Sequence, residues 1–111
     1  MSFTLPTVLA GAVPAGARLL DVREPDEWAA GHAEEALHIP IGQVVGRLAE
    51  ITEHAGEDRL YVVCKVGGRS AQVTAYLVQQ GLDAVNVDGG MHAWQAAGRA
   101  LVSEAGEPFV L

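Results

Sequence analysis

The run Leu60-Tyr61-Val62-Val63-Cys64-Lys65-Val66-Gly67-Gly68-Arg69-Ser70 leaves the chain few ways to fold. Its first half is a short, β-branched apolar segment, which suits a strand buried on both faces of a sheet. Two adjacent glycines then permit a tight loop. Beyond it Ala71, Val73, Ala75, Leu77 and Val78 recur at helical spacing over Ala71 to Gln80, until Gly81 ends the pattern. The stretch also delivers the only cysteine of the chain to a loop that holds two cations, Lys65 and Arg69. Glycine at 67 and 68 lets backbone N–H groups turn inward as a nest around an anion. The helix starting near Ser70 points its positive end at the same spot. A thiol in such a place loses its proton more readily than a free one, so Cys64 is a candidate nucleophile. The plainer alternative is a small buried hydrophobe that closes a core strand, and the cation-rich, glycine-rich loop after Cys64 argues against it.

The rest of the chain alternates in the same way. Ser2-Phe3 reads as an edge strand and Thr4 to Ala10 as a short helix capped by Thr4. Arg18 to Val22 is a strand, and Pro25 to Ala30 a short helix with Pro in its first turn and Asp26 and Glu27 near its positive end. Trp28 is expected to face the core. Leu37 to Ile41 is extended, and Gln43 to His54 is an amphipathic helix carrying Val44, Leu48 and Ile51 on one face. Leu60 to Cys64 and Ala84 to Val87 are strands, and Met91 to Ala97 is a helix. Gly98 to Leu111 wraps the surface, with Phe109-Val110-Leu111 tucked against it. Alternating strands and helices imply right-handed crossovers and an α/β fold, a mainly parallel sheet of about five strands covered by helices on both faces. Ligands of such sheets bind beyond the carboxyl ends of the strands. Asp21-Val22-Arg23, Cys64-Lys65 and Asp88-Gly89-Gly90 all follow strand segments, so they are expected to share one rim.

At 111 residues the chain is expected to be one domain, residues 1–111, with a core large enough to need no disulfide. No segment approaches the roughly 18 uninterrupted apolar residues of a membrane helix. The N-terminal stretch lacks a cationic n-region and is broken by Pro6 and Pro14, which argues against a signal peptide. A single reactive thiol fits a reducing compartment, so the cytoplasm is expected. A net charge of −7 argues against nucleic acid or an anionic membrane as partner. Arg23, Lys65 and Arg69 cluster at strand ends, and a locally positive pocket in an acidic protein favours a small anion.

Cys64-Lys65-Val66-Gly67-Gly68-Arg69-Ser70 resembles the active-site loop of the rhodanese-like sulfurtransferases. Leu19-Leu20-Asp21-Val22-Arg23-Glu24-Pro25-Asp26-Glu27-Trp28, followed by Gly31-His32, is similar to the family's first conserved block, and Val87-Asp88-Gly89-Gly90-Met91-His92-Ala93-Trp94 to its last. The resemblance covers most of the chain in the family's order and implies a single rhodanese-like domain. It further implies a sulfane donor such as thiosulfate, an acceptor that is cyanide or a thiol, protein thiols included, and no cofactor. Cys64 is then the catalytic residue, with Lys65, Val66, Gly67, Gly68, Arg69 and Ser70 around the substrate and Asp21, Arg23 and His32 in support. Lys65 is assigned to the anionic donor. Arg69 is either a second anion contact or a strut paired with Asp21, and the resemblance favours the strut. His32 matches the family's Gly-His pair and is expected to fix its loop by hydrogen bonding, whereas His54 and His92 are expected at the surface. No histidine lies at ligand spacing to another or to Cys64, so no metal site is expected. The chain departs from the family at Ala33-Glu34-Glu35-Ala36, where Ile-Pro-Gly-Ala is common.

Two rivals remain. Phosphatases and arsenate reductases also run from Cys to Arg at a helix start, but they hold one residue more between the two than the four from Lys65 to Gly68. The shorter ring favours sulfur over tetrahedral phosphate. The same scaffold also serves as a non-catalytic or persulfide-carrying module that binds a protein partner, though such modules often lack the cysteine.

Overall fold

The structure is a computed structural model and describes residues 4–111. Five strands form one sheet: β1 (Thr7–Leu9), β2 (Arg18–Asp21), β3 (Leu37–His38), β4 (Leu60–Val63) and β5 (Ala84–Asp88). Their order is β1-β5-β4-β2-β3, and every pairing is parallel. The helices are α1 (Pro25–Ala30), α2 (Leu48–Ala55), α3 (Gly68–Gln79) and α4 (Gly90–Ala96). Period-2 alternation divides each strand between two cores. Leu20, Val22, Leu60 and Val62 face Ile51 and Ala55 of α2 and Val73 and Leu77 of α3. Leu19, Val63 and Val87 face Met91 and Trp94 of α4 on the other side. The α/β architecture expected from the sequence is therefore present, and all strand ends that carry candidate residues lie on one rim.

Three local expectations are corrected. Thr7–Leu9 is a strand, not part of a helix from Thr4, and the edge strand expected at Ser2-Phe3 falls outside the described residues. Parallel pairing of Thr7 with Asn86, Val8 with Val87 and Leu9 with Asp88 outweighs the weak helical preference of so short a run. The amphipathic helix expected over Gln43 to His54 breaks into two single 3-10 turns, Ile41–Gln43 and Val45–Arg47, before α2 begins at Leu48. Gly42 and Gly46 in this segment weaken a continuous helix. Trp28 is half-buried and belongs to neither core; His32 and His38 stack on its ring at 3.6 and 4.7 Å between centroids.

Helix α1 buries no residue, so packing of an apolar face cannot account for it. Its ends are held by hydrogen bonds instead. Glu24 and Glu27 form a reciprocal capping box at its start. At its end the C-terminal segment supplies donors, Glu104 N–H to Ala29 O at 3.1 Å and Phe109 N–H to Ala30 O at 3.0 Å. His32 and Val102 add a two-way backbone bridge. A Cβ on Gly31 would stand 2.3 Å from Phe109 O, which is why glycine ends this helix. The C-terminal segment wraps as expected, with Val110 packed on the α4 core while Phe109 and Leu111 remain about half exposed.

Glu35 is the only non-glycine described residue in the left-handed region, at φ 67°. A glutamate in this conformation carries backbone strain that a glycine would not. Glu35→Gly is expected to raise stability by about 0.5–1 kcal/mol, read as an increased midpoint of urea denaturation with an unchanged slope; a decrease would show that the Glu35 side chain holds this turn.

Candidate active site

Cys64 directly follows β4 and turns toward the α3 side of the sheet. Its next residues do not form a long loop. The helix begins at Gly68, three residues earlier than the apolar periodicity suggests, so Arg69 and Ser70 lie in its first turn. Gly67 precedes the helix at φ 114°, a conformation a side chain would strain. With this geometry the Gly67 N–H points at Cys64 Sγ, 3.1 Å away, and Ser70 Oγ lies 3.3 Å from the same sulfur. Burial pushes the Cys64 thiol up, but the Ser70 hydroxyl and the N–H groups of Ser70, Gly67 and Val66 outweigh it, and the net shift is below the ordinary thiol range. Cys64 is only 1% exposed, whereas Lys65, Val66 and Gly68 above it are exposed.

The third strand end holds this loop from behind. Met91 N–H donates to Cys64 O at 2.7 Å and His92 N–H to Lys65 O at 2.9 Å. That approach requires Gly90: a Cβ there, already at φ 56°, would meet Cys64 O at 2.4 Å and the Lys65 carbonyl at 2.7 Å. Gly90 is thus a steric requirement of the cysteine loop, whereas a Cβ on Gly89 would meet Ala93 Cβ of α4 itself at 2.5 Å.

The cations differ from the expected positive cluster. Arg23 is fully buried and folded back on Asp21, with Nε 3.0 Å from Oδ1 and Nη2 2.7 Å from Oδ2, and it donates onward to Gly31 O and Glu27 O. It therefore braces the β2–α1 junction from within the protein. Asp21 is consequently not the partner of Arg69. Arg69 makes a two-pronged pair with Glu27 at 2.7 and 2.9 Å, which ties the first turn of α3 to the first turn of α1. Five of the seven Lys and Arg residues have carboxylate partners, and Arg99 lies over the Trp94 ring. Among the described residues Lys65 alone has neither, so the free positive charge of the rim is one residue. His32 Nδ1 donates to Trp28 O at 2.8 Å and His38 Nε2 to Arg23 O at 2.8 Å. His92 is exposed, whereas His54, expected at the surface, is half-buried and donates to Leu19 O.

Two residues here are not found by sequence reasoning. Glu27 lies 42 positions from Arg69, so no local pattern announces the pair, although Glu24-x-x-Glu27 is a legible capping box. Asn86 lies under Gly67 and donates to its carbonyl at 3.3 Å; a lone amide in an apolar strand is the available signal.

A parallel sheet whose central strand ends in an amide-ringed thiol is the architecture of the rhodanese-like fold, and the chain belongs to that family: the rhodanese-like domain model matches residues 6–97. The provisionally named sulfurtransferase YtwF of Bacillus subtilis (strain 168) is 42% identical over 78 residues, covering 69% of this chain and 72% of its own. A rhodanese-related protein of Thermoplasma volcanium superposes with a TM-score of 0.81 at 29% identity, over 89% of this chain and 99% of its own. The thiosulfate sulfurtransferase of Pseudomonas aeruginosa gives 0.77 at 26% identity, over 95% of this chain but 21% of that longer one. The family and these relatives make the chain a sulfurtransferase-like protein.

The Arg69 pair, foremost its direct hydrogen bonds, holds Glu27 down to about 2 from an ordinary 4.5. A depressed carboxylate stabilises the fold fully above its unfolded value and loses that contribution as pH falls toward its folded one. The pair is partly open to solvent, so screening reduces the effect to about 1–2 kcal/mol. Unfolding free energy is therefore expected to fall by that much more in the wild type than in Glu27→Gln between about pH 5 and about pH 2; parallel pH profiles would show the pair to contribute nothing.

Proposed function

We propose that the chain moves a sulfane sulfur through a persulfide on Cys64, with thiosulfate as one competent donor. The observation that carries this reading is the pair of donors converging on one sulfur, the Gly67 N–H at 3.1 Å and the Ser70 hydroxyl at 3.3 Å, in a loop with four residues between Cys64 and Arg69. In the first step the Cys64 thiolate attacks the outer sulfur of thiosulfate. A new S–S bond forms, the bond to the sulfonate sulfur breaks, and sulfite leaves with the electron pair. The persulfide's outer sulfur then carries the charge, and the donors of the loop stabilise it. In the second step cyanide or a thiolate attacks that sulfur and Cys64 leaves as thiolate, a two-step exchange with a covalent intermediate.

Approach to the sulfur runs over Lys65, Val66 and Gly68. With Arg69 committed to Glu27 and Arg23 to Asp21, the charge attracting the donor is assigned to Lys65. Arg69 acts as a strut that keeps the helix start in place. The exchange needs neither metal nor organic cofactor, and a persistently reduced thiol suits the cytoplasm.

Intact-mass analysis after incubation with thiosulfate is expected to show a gain of one sulfur, discharged by cyanide and absent from Cys64→Ser. No adduct on the wild type, or faster hydrolysis of a phosphate ester than sulfur transfer, would overturn the proposal. Lys65→Ala is expected to raise the KM for thiosulfate about tenfold with kcat changed far less, the size of one hydrogen bond to a charged group; an unchanged KM would remove Lys65 from the donor site.

A further inference from the structure

Asn86 is the anomaly of the β5 strand. It is the one polar side chain in Ala84-Val85-Asn86-Val87, it is 7% exposed, and it lies mid-strand between β1 and β4. Its Oδ1 is the only buried side-chain nitrogen or oxygen among the described residues that has no hydrogen-bond partner. A buried amide left half satisfied destabilises a fold, and valine there would suit the strand better. The one directed contact of the amide is Nδ2 to Gly67 O, 3.3 Å away.

That carbonyl is crowded. It also accepts Ala71 N–H at 3.0 Å, the first bond of α3, and it lies 3.2 Å from Ser70 Oγ. Ser70 has one hydroxyl hydrogen and two acceptors within reach, Gly67 O and, at 3.3 Å, Cys64 Sγ. When Cys64 is a neutral thiol its S–H can donate to Ser70 Oγ, and the Ser70 hydrogen can rest on Gly67 O. When Cys64 is a thiolate it has no hydrogen to give and needs the one Ser70 holds. A carbonyl oxygen has two lone-pair positions. With Ala71 N–H on one and Asn86 Nδ2 on the other, Gly67 O is satisfied without Ser70.

We propose that Asn86 is a positioning residue of the site: by occupying Gly67 O it releases the single Ser70 hydrogen to the Cys64 sulfur. It touches neither substrate nor sulfur, and its effect is routed through Ser70. This deepens the reading of Cys64 as the working thiolate and rests on it. The stacking of β5 beneath the loop, with Asn86 two positions from Ala84 on the α3 side of the strand, makes the contact possible.

The test is the pH dependence of Cys64 alkylation by iodoacetamide, in the full chain, for wild type, Asn86→Leu, Ser70→Ala and the double variant, with far-UV circular dichroism to establish folding. With Ser70 present, Asn86→Leu is expected to raise the ionisation midpoint of Cys64 by about half a unit to one unit. In the Ser70→Ala background the same substitution is expected to move it by about 0.2 unit or less, since the hydrogen being allocated is gone. Should leucine prevent folding, Asn86→Ala reads the same cycle. An unmoved midpoint with Ser70 present, or an equal shift in both backgrounds, overturns the proposal, the second because it would mark a general loosening of the loop. Alkylation needs no turnover, so a protein that transferred no sulfur would still show whether Asn86 acts through Ser70.

Discussion

A sulfur buried at the end of a central strand and made easier to ionise is the constraint around which this chain is arranged. Removing a charge from water is costly, and the cost is met only if fixed donors replace the water that is lost. At Cys64 the replacement is shared between the backbone and one hydroxyl. Gly67 adopts a left-handed conformation and its N–H faces the sulfur, and α3 begins at once, so that the Ser70 hydroxyl in its first turn reaches the same atom. Backbone donors suit the task because they carry no net charge and cannot swing away to solvent. Their direction depends on the peptides staying put, which transfers the requirement to whatever holds the loop.

Three separate contacts do so, from three directions. Behind the loop, the first amides of α4 grip the Cys64 and Lys65 carbonyls across a gap only Gly90 can fill. To the side, Arg69 is clamped by a Glu27 already fixed in its capping box, so the start of α3 is tied to α1 rather than left as a free helix end. From the sheet below, Asn86 holds Gly67 O. The buried Asp21–Arg23 pair belongs to the same scheme one step removed, because Arg23 donates to Glu27 O and Gly31 O and so sets where α1 sits. An ion pair so deeply buried adds little net stability beyond what apolar residues would give. Its geometric value is that it fixes the strand-to-helix turn carrying Glu27.

Much of this arrangement is legible in the sequence because local chemistry encodes it. The apolar run ending in Cys64, the glycines after it and the alternation of strand and helix patterns point to the parallel sheet and the shared rim. What the sequence hides depends on partners distant along the chain. Thr7–Leu9 is a strand only because β5 lies beside it, and a three-residue segment has no periodicity of its own. Arg69 could pair with any carboxylate brought to the rim, and Asp21, the one the resemblance favours, is already taken by Arg23. The apolar periodicity places the start of α3 late because glycine weighs against a helix, while here Gly68 lies at a first turn where that penalty is small and open backbone N–H groups are the point. The lone amide of Asn86 is visible in its strand, yet it has no evident use until Gly67 is placed above it.

The distribution of charge carries the argument from structure to substrate. An acidic protein repels anions at long range, yet the proposed donor is an anion. The conflict is eased by which cations are neutralised. Five guanidiniums are matched to carboxylates, so their fields are largely cancelled close to the surface, whereas Arg99 lies over an uncharged indole and Lys65, the residue after the cysteine, has no carboxylate partner among the described residues. One exposed, unpaired ammonium on an acidic background gives a short-range attraction that a compact dianion can satisfy in full. An extended polyanion would have to lay most of its charge against carboxylates. On the proposed reading, selectivity for small anions follows from subtraction, since five arginines are occupied by carboxylates and Lys65, unmatched among the described residues, directly follows Cys64 in the chain.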